Sequence, residues 1–135
     1  MHHFEPIVRR VKIEHDIRVK RWRRHMSGCA WQVRHADGRV IRWIESPYPR
    51  TPISLSLFLH EVGHHVIGFE AYPTRCEEEY HAWNWAIAQM QSMRVSPDAK
   101  VMSRYELSMR YEVEKAIRRG ATEIPEKVMQ FGRAA

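Results

Sequence analysis

Between Thr51 and Gly68 the chain spells one continuous helix that carries reactive side chains at its far end. Thr51 is the expected N-cap, Pro52 takes the first helical position, where a missing N–H costs nothing, and Gly68 supplies the stop. The run Ile53-Ser54-Leu55-Ser56-Leu57-Phe58-Leu59 needs burial, so other elements must be built around it. It delivers His60-Glu61-Val62-Gly63-His64-His65 to the same interior or to its rim.

Side chains four residues apart share a helix face, so His60 and His64 can each aim a ring nitrogen at one metal ion. Glu61 falls on the adjacent face of the same turn. From there it is poorly placed to be a ligand but able to take a proton from a water beside the metal. His65 lies about 100° round the helix and reads as a supporting or core histidine, since a fourth protein ligand would close the site to water. Gly63 weakens the helix by about 1 kcal/mol relative to alanine and is tolerable where another backbone or a substrate comes close. A chain with nine histidines can spell so short a pattern by accident, and the apolar, capped helix around it is what argues against that.

A catalytic zinc site takes three protein ligands, so a third donor is sought downstream. Glu70 lies six residues after His64, but the spacing that would use that offset needs glycine at position 67 and histidine at position 70, where this chain has Ile67 and Glu70. A second helix begins after Tyr72-Pro73, with Thr74 and Glu77 in a Thr-x-x-Glu capping box that assigns Glu77 to the cap. Glu79 heads the more apolar stripe, with Ala82, Trp83, Ala86, Met90 and Met93, whereas Glu78 lines up with Ala82, Trp85 and Gln89. A carboxylate facing the core needs a partner there. Glu79 is therefore the expected third ligand, with Glu78 as the alternative.

An apolar helix ending in His60-Glu61-x-x-His64, a short loop, and an acidic-headed second helix with small and aromatic residues resemble the ImmA/IrrE family of compact zinc metallopeptidases. The likeness covers roughly residues 28 to 93. It departs from the family where Tyr80 and His81 precede Ala82, since alanine usually follows the ligand glutamate directly. The resemblance implies a small zincin-like α+β domain, one zinc per chain, peptide-bond hydrolysis with Glu61 as general base, and a dedicated protein substrate such as a transcriptional repressor of a phage or mobile element. The alternative is a zinc-binding regulatory domain with little turnover that works by binding a protein or DNA. Tyr80, His81, His65 and Tyr105 are the candidate donors to an oxyanion, and spacing does not choose among them.

The remaining chain is read as part of the same single domain, residues 1–135. Residues 30 to 35 and 39 to 45 alternate in polarity about Asp37-Gly38, which predicts a β-hairpin, expected to form a small antiparallel sheet against the motif helix. By the resemblance, its open edge could hold an extended substrate. Ile17 to Met26 carries five cations from Arg18 to Arg24, with Ile17, Val19, Trp22 and Met26 interspersed, and is read as an N-terminal helix with a basic outer face. With a net charge of +6, that face is a candidate nucleic-acid contact. Ser96 and Pro97 are taken to start a helical part over about 97–120, with a core stripe of Met102, Tyr105, Met109, Val113, Ala116 and Ile117 and an outer Glu106/Arg110 pair. A further turn or two of helix is expected after Pro125.

His2, His3, His15 and His25 show no ligand spacing, and His35 reads as a strand position. Cys29 and Cys76 are too few for a disulfide framework, which fits a reduced compartment. No stretch is apolar enough to cross a bilayer, and the start lacks a signal-peptide apolar region, so a cytoplasmic protein is the expectation.

Overall fold

The computed structural model describes residues 4–133; His2 and His3 lie outside the described residues. Its elements are α1 (Glu5–Glu14), β1 (Ile17–Arg23), β2 (Cys29–Arg34), β3 (Val40–Pro47), α2 (Pro52–Ile67), α3 (Arg75–Ser92), α4 (Ala99–Arg118), α5 (Glu126–Met129) and a closing 3-10 turn, Gln130–Arg133. The architecture is α+β. No helix among the described residues is long and apolar enough to cross a membrane.

Helix α2 is the centre of the molecule, and every residue from Ser54 to His65 on it is buried. It starts as expected: the Thr51 hydroxyl accepts from the Ser54 N–H at 3.3 Å, and the Ser54 hydroxyl accepts from the Thr51 N–H at 2.9 Å. Gly68 ends it at φ +96°, a conformation glycine reaches without a steric cost. One side of α2 packs into a cluster with α1, the sheet, Ala86 and Met90; Leu57 on the other side joins Trp83, Met109, Val113 and Val128. With cores on two sides, α2 is enclosed along most of its length, and its polar side chains are buried with the apolar ones.

Helix α3 lies against α2, and Gly63 marks where the two backbones meet. A methyl group there would stand 2.8 Å from the Ala82 carbonyl oxygen. Thr74 caps α3 by accepting from the Glu77 N–H at 3.4 Å, while the Glu77 carboxylate lies 3.5 Å from His81, so only the hydroxyl half of the expected capping box forms.

Strands β2 and β3 form the expected hairpin, with Gly38 at φ +92° in its turn and the His35 N–H donating to the Arg39 carbonyl at 2.7 Å. The sheet differs from expectation in its third member. Residues 17–23 form a strand, not a helix, and β1 pairs in parallel with β3, giving the order β1-β3-β2 and a mixed sheet. A bulge between Val19 and Arg21 shifts the alternation, so Ile17, Val19 and Trp22 all face the core while the cations between them stay outside. The N-terminal helix is instead α1, with Pro6 in its first turn and Val8 and Val11 buried.

Further along, Asp98 rather than Ser96 caps α4, accepting from the Val101 N–H at 3.0 Å. Tyr105, Met109 and Val113 are buried as expected, but Ile117 is 48% exposed. Glu106 and Arg110 form no ion pair; Glu112 and Lys115 do, at 2.9 Å. The turn after Pro125 is α5. Cys29 and Cys76 are free thiols, and Cys76 is buried.

Candidate metal centre

Three side chains from α2 and α3 converge at the junction of the two helices. His60 and His64 present their rings one turn apart, with centroids 4.7 Å from each other. His60 Nε2 lies 3.0 Å and His64 Nε2 2.7 Å from the same oxygen, Glu79 Oε2. One donor atom from each of the three residues falls within 4.8 Å of the other two, a spacing at which one cation could bind all three. Two imidazoles and a carboxylate suit zinc and other first-row divalent ions. The group could hold a metal ion.

The carboxylate that joins the histidines is Glu79, and Glu78 is used differently. Glu78 is 4% exposed. Its Oε1 accepts from the Glu70 N–H at 3.1 Å; its Oε2 meets Arg75 at 3.1 Å and stands 3.7 Å from His64 Nδ1. Glu78 thus lies behind His64 and ties the loop at Glu70, where φ is +61°, to the second helix. Glu70 contributes its amide to this arrangement, not its carboxylate.

Packing fixes the rings. His60 stacks on Trp83 with centroids 4.4 Å apart and planes 17° from parallel, and His64 lies parallel to Phe69 at 6.5 Å. Burial and charge then act in opposite directions on each group. Burial favours neutral His64, but Glu78 and Glu79 outweigh it and raise its pKa to about 9. His60 is raised as well, since Glu61 and Glu79 overcome the effect of burial. Burial would raise the Glu79 carboxyl, yet the two histidines hold it well below the usual carboxylate range. The neighbouring carboxylates thus leave both imidazoles more basic than a free histidine.

Glu61 is 6% exposed, with Oε2 3.5 Å from His60 Nδ1. The chain entering β2 covers it closely: a methyl group on Gly28 would stand 2.9 Å from Glu61 Oε2 and 2.6 Å from the Glu45 carbonyl oxygen. His60, Glu61, His64 and Glu79 all line an open cleft of about 600 Å³. One wall is the lead-in and start of β2, Ser27 to Ala30, and the other is α4, through Arg104, Leu107, Ser108 and Tyr111.

None of the four expected oxyanion donors lines this cleft. His65 Nε2 lies 2.9 Å from the Trp43 carbonyl, and burial holds its pKa below the ordinary value. His81 stacks on Tyr72 at 4.3 Å. Tyr80 packs towards Phe131, and the Tyr105 hydroxyl accepts from Asn84 Nδ2 at 3.0 Å. The α4 wall is not foreseen from the sequence, where the strongest pattern in that helix is its core stripe. Leu107 and Tyr111, four apart and off that stripe, are the signal that could have found it, and both are 59% exposed.

Comparison with protein-family models, with curated proteins and with solved structures returns no match to this chain.

Proposed function

We propose that the chain is a zinc-dependent peptidase acting on a dedicated protein substrate. The observation that carries this reading is the convergence of His60, His64 and Glu79 on one point beside Glu61 in the same open cleft. A structural metal site needs no additional carboxylate beside it and no cleft. Zinc held by these residues would supply Lewis acidity, polarising a carbonyl and making a nearby water more acidic.

The protein's own groups then have definite tasks. Glu61 accepts a proton from water and returns it to the leaving amine as the C–N bond breaks. Among the described residues β2 pairs with β3 alone, which leaves its other edge free, and its first residues form a wall of the cleft. An extended peptide can hydrogen-bond along that edge, with its side chains alternating towards and away from the cleft. Leu107 and Tyr111 offer it apolar contact. The resemblance to the ImmA/IrrE peptidases makes a transcriptional regulator the favoured substrate.

The test works without an identified substrate. A proteome-derived peptide library incubated with zinc-loaded wild type, and separately with Glu61→Gln, is compared by mass spectrometry for new termini. Wild type should produce a recurrent cleavage pattern that Glu61→Gln lacks by a factor of about 100 or more, with equal zinc content in both proteins. Identical patterns, or none from zinc-loaded wild type, would overturn the assignment.

A further inference from the structure

The sheet has a covered face and an open one. Ile17, Val19, Trp22, Ala30 and Ile44 point into the core, and α1 and α2 pack on the sheet and share that cluster with them. Residues of the opposite parity stand on the other face. There the register aligns Arg18 of β1, Trp43 of β3 and Trp31 of β2 in one row across all three strands.

Two properties of this row and its surroundings point to a ligand class. The indoles of Trp31 and Trp43 lie 19° from parallel with centroids 6.4 Å apart, both partly exposed, and Lys20 Nζ is 5.3 Å from the Trp43 ring. The three strands also contain six Lys and Arg residues against one acid, Glu45. Arg21 and Arg23 share that carboxylate, at 3.4 and 2.9 Å. Arg18 and Lys20 are exposed and have no carboxylate within ion-pair distance among the described residues.

We infer that this open face binds single-stranded nucleic acid, with bases stacking on the Trp31–Trp43 pair and phosphates meeting Arg18, Lys20 and Arg21. Each component does something the other cannot. Cations alone would suit a duplex or an acidic protein equally well, but neither presents free base faces to an indole; unpaired bases do, whatever their sequence. Placing the aromatic row on a sheet and the charges on its edge strand keeps both within reach of a few consecutive nucleotides. The site is separate from the metal cleft and does not depend on the peptidase reading.

The experiment is fluorescence anisotropy of a labelled oligothymidylate of about 20 nucleotides titrated with the full chain, with tryptophan emission followed in parallel. Saturable binding with quenched emission is expected. For about three neutralised phosphates, affinity should fall about twenty-fold between about 50 and about 200 mM salt. Arg18→Glu with Lys20→Glu should weaken binding about ten-fold or more while the circular dichroism stays that of wild type. Should that pair disturb the strand, Arg18→Gln with Lys20→Gln tests the same charges, and Trp31→Leu tests the stacking. Absence of binding at low salt, wild-type affinity in the charge or Trp31 variants, or equal affinity for blunt duplex or polyglutamate would each overturn the assignment.

Discussion

At the level of single residues, the two adjacent glutamates of α3 illustrate how one position along a helix changes a side chain's task. Glu79 meets both histidines at their Nε2 atoms, whereas Glu78 stands behind His64 and spends its oxygens on Arg75 and the Glu70 amide. On the proposed metal reading, removing Glu79 takes away a ligand and removing Glu78 only loosens one. A partner that orients a ligand is typically worth about 10- to 100-fold in metal affinity, so Glu78→Gln should fall in that range and Glu79→Ala well beyond it. Competition with a chromophoric chelator measures both; equal losses would show that the two carboxylates share the task. That Glu79 faces the two histidines was legible because the apolar stripe it heads is a local, periodic pattern. The role of Glu78 was not, because the Glu70 amide and His64 reach it from the loop before α3 and from α2, and only Arg75, three residues earlier, lies within α3 itself.

Among the elements, α2, α3, the hairpin and α4 could be read from the chain because their signals are short-range: Thr51 and Thr74 as caps, Gly38 and Gly68 as stops, and a periodic core stripe. Strand β1 could not. Its partner lies about 25 residues away, across a parallel pairing, and the bulge spaces its inward residues by two and then three, which imitates a helical repeat. Gly63 was legible as a close approach, but that its neighbour is the α3 backbone required the packing. This contact yields a prediction about the site. Gly63→Ala should gain about 1 kcal/mol of helix propensity, yet its methyl group must push against the Ala82 carbonyl, and overpacking typically costs about 1–3 kcal/mol. The helices would then separate at the point from which Glu79 reaches His60 and His64. A lower denaturation midpoint together with weaker zinc binding is expected; a more stable variant with unchanged zinc affinity would show that α3 yields without moving the site.

For the whole molecule, the consequence of burying two histidines with a carboxylate is that stability and metal loading should respond to pH in opposite directions. In the metal-free protein the His64 pKa is raised from 6.5 to about 9, so its ion pairs contribute stability that is complete below about 6.5 and is lost as pH rises towards 9. Glu79 is shifted the other way from 4.5, so its contribution is present above that value and fades as pH falls through its lower folded pKa. The cluster therefore supports the metal-free fold best between about 4.5 and 6.5. A metal ion held as proposed would oppose this, because both imidazoles would have to give up the protons that Glu79 and its neighbours help them keep. Below the raised pKa values, apparent zinc affinity should climb by as much as about 100-fold per pH unit, one decade for each proton displaced. Since a ligand that binds only the folded state stabilises it by RT ln(1 + [L]/Kd), the difference in Tm between zinc-loaded and chelator-treated protein should be small near pH 6 and grow steadily towards pH 8. Thermal scans in both states across that range measure it directly. A difference independent of pH would mean that the imidazoles are already neutral in the metal-free protein, and that Glu79 holds them by hydrogen bonds without a charge.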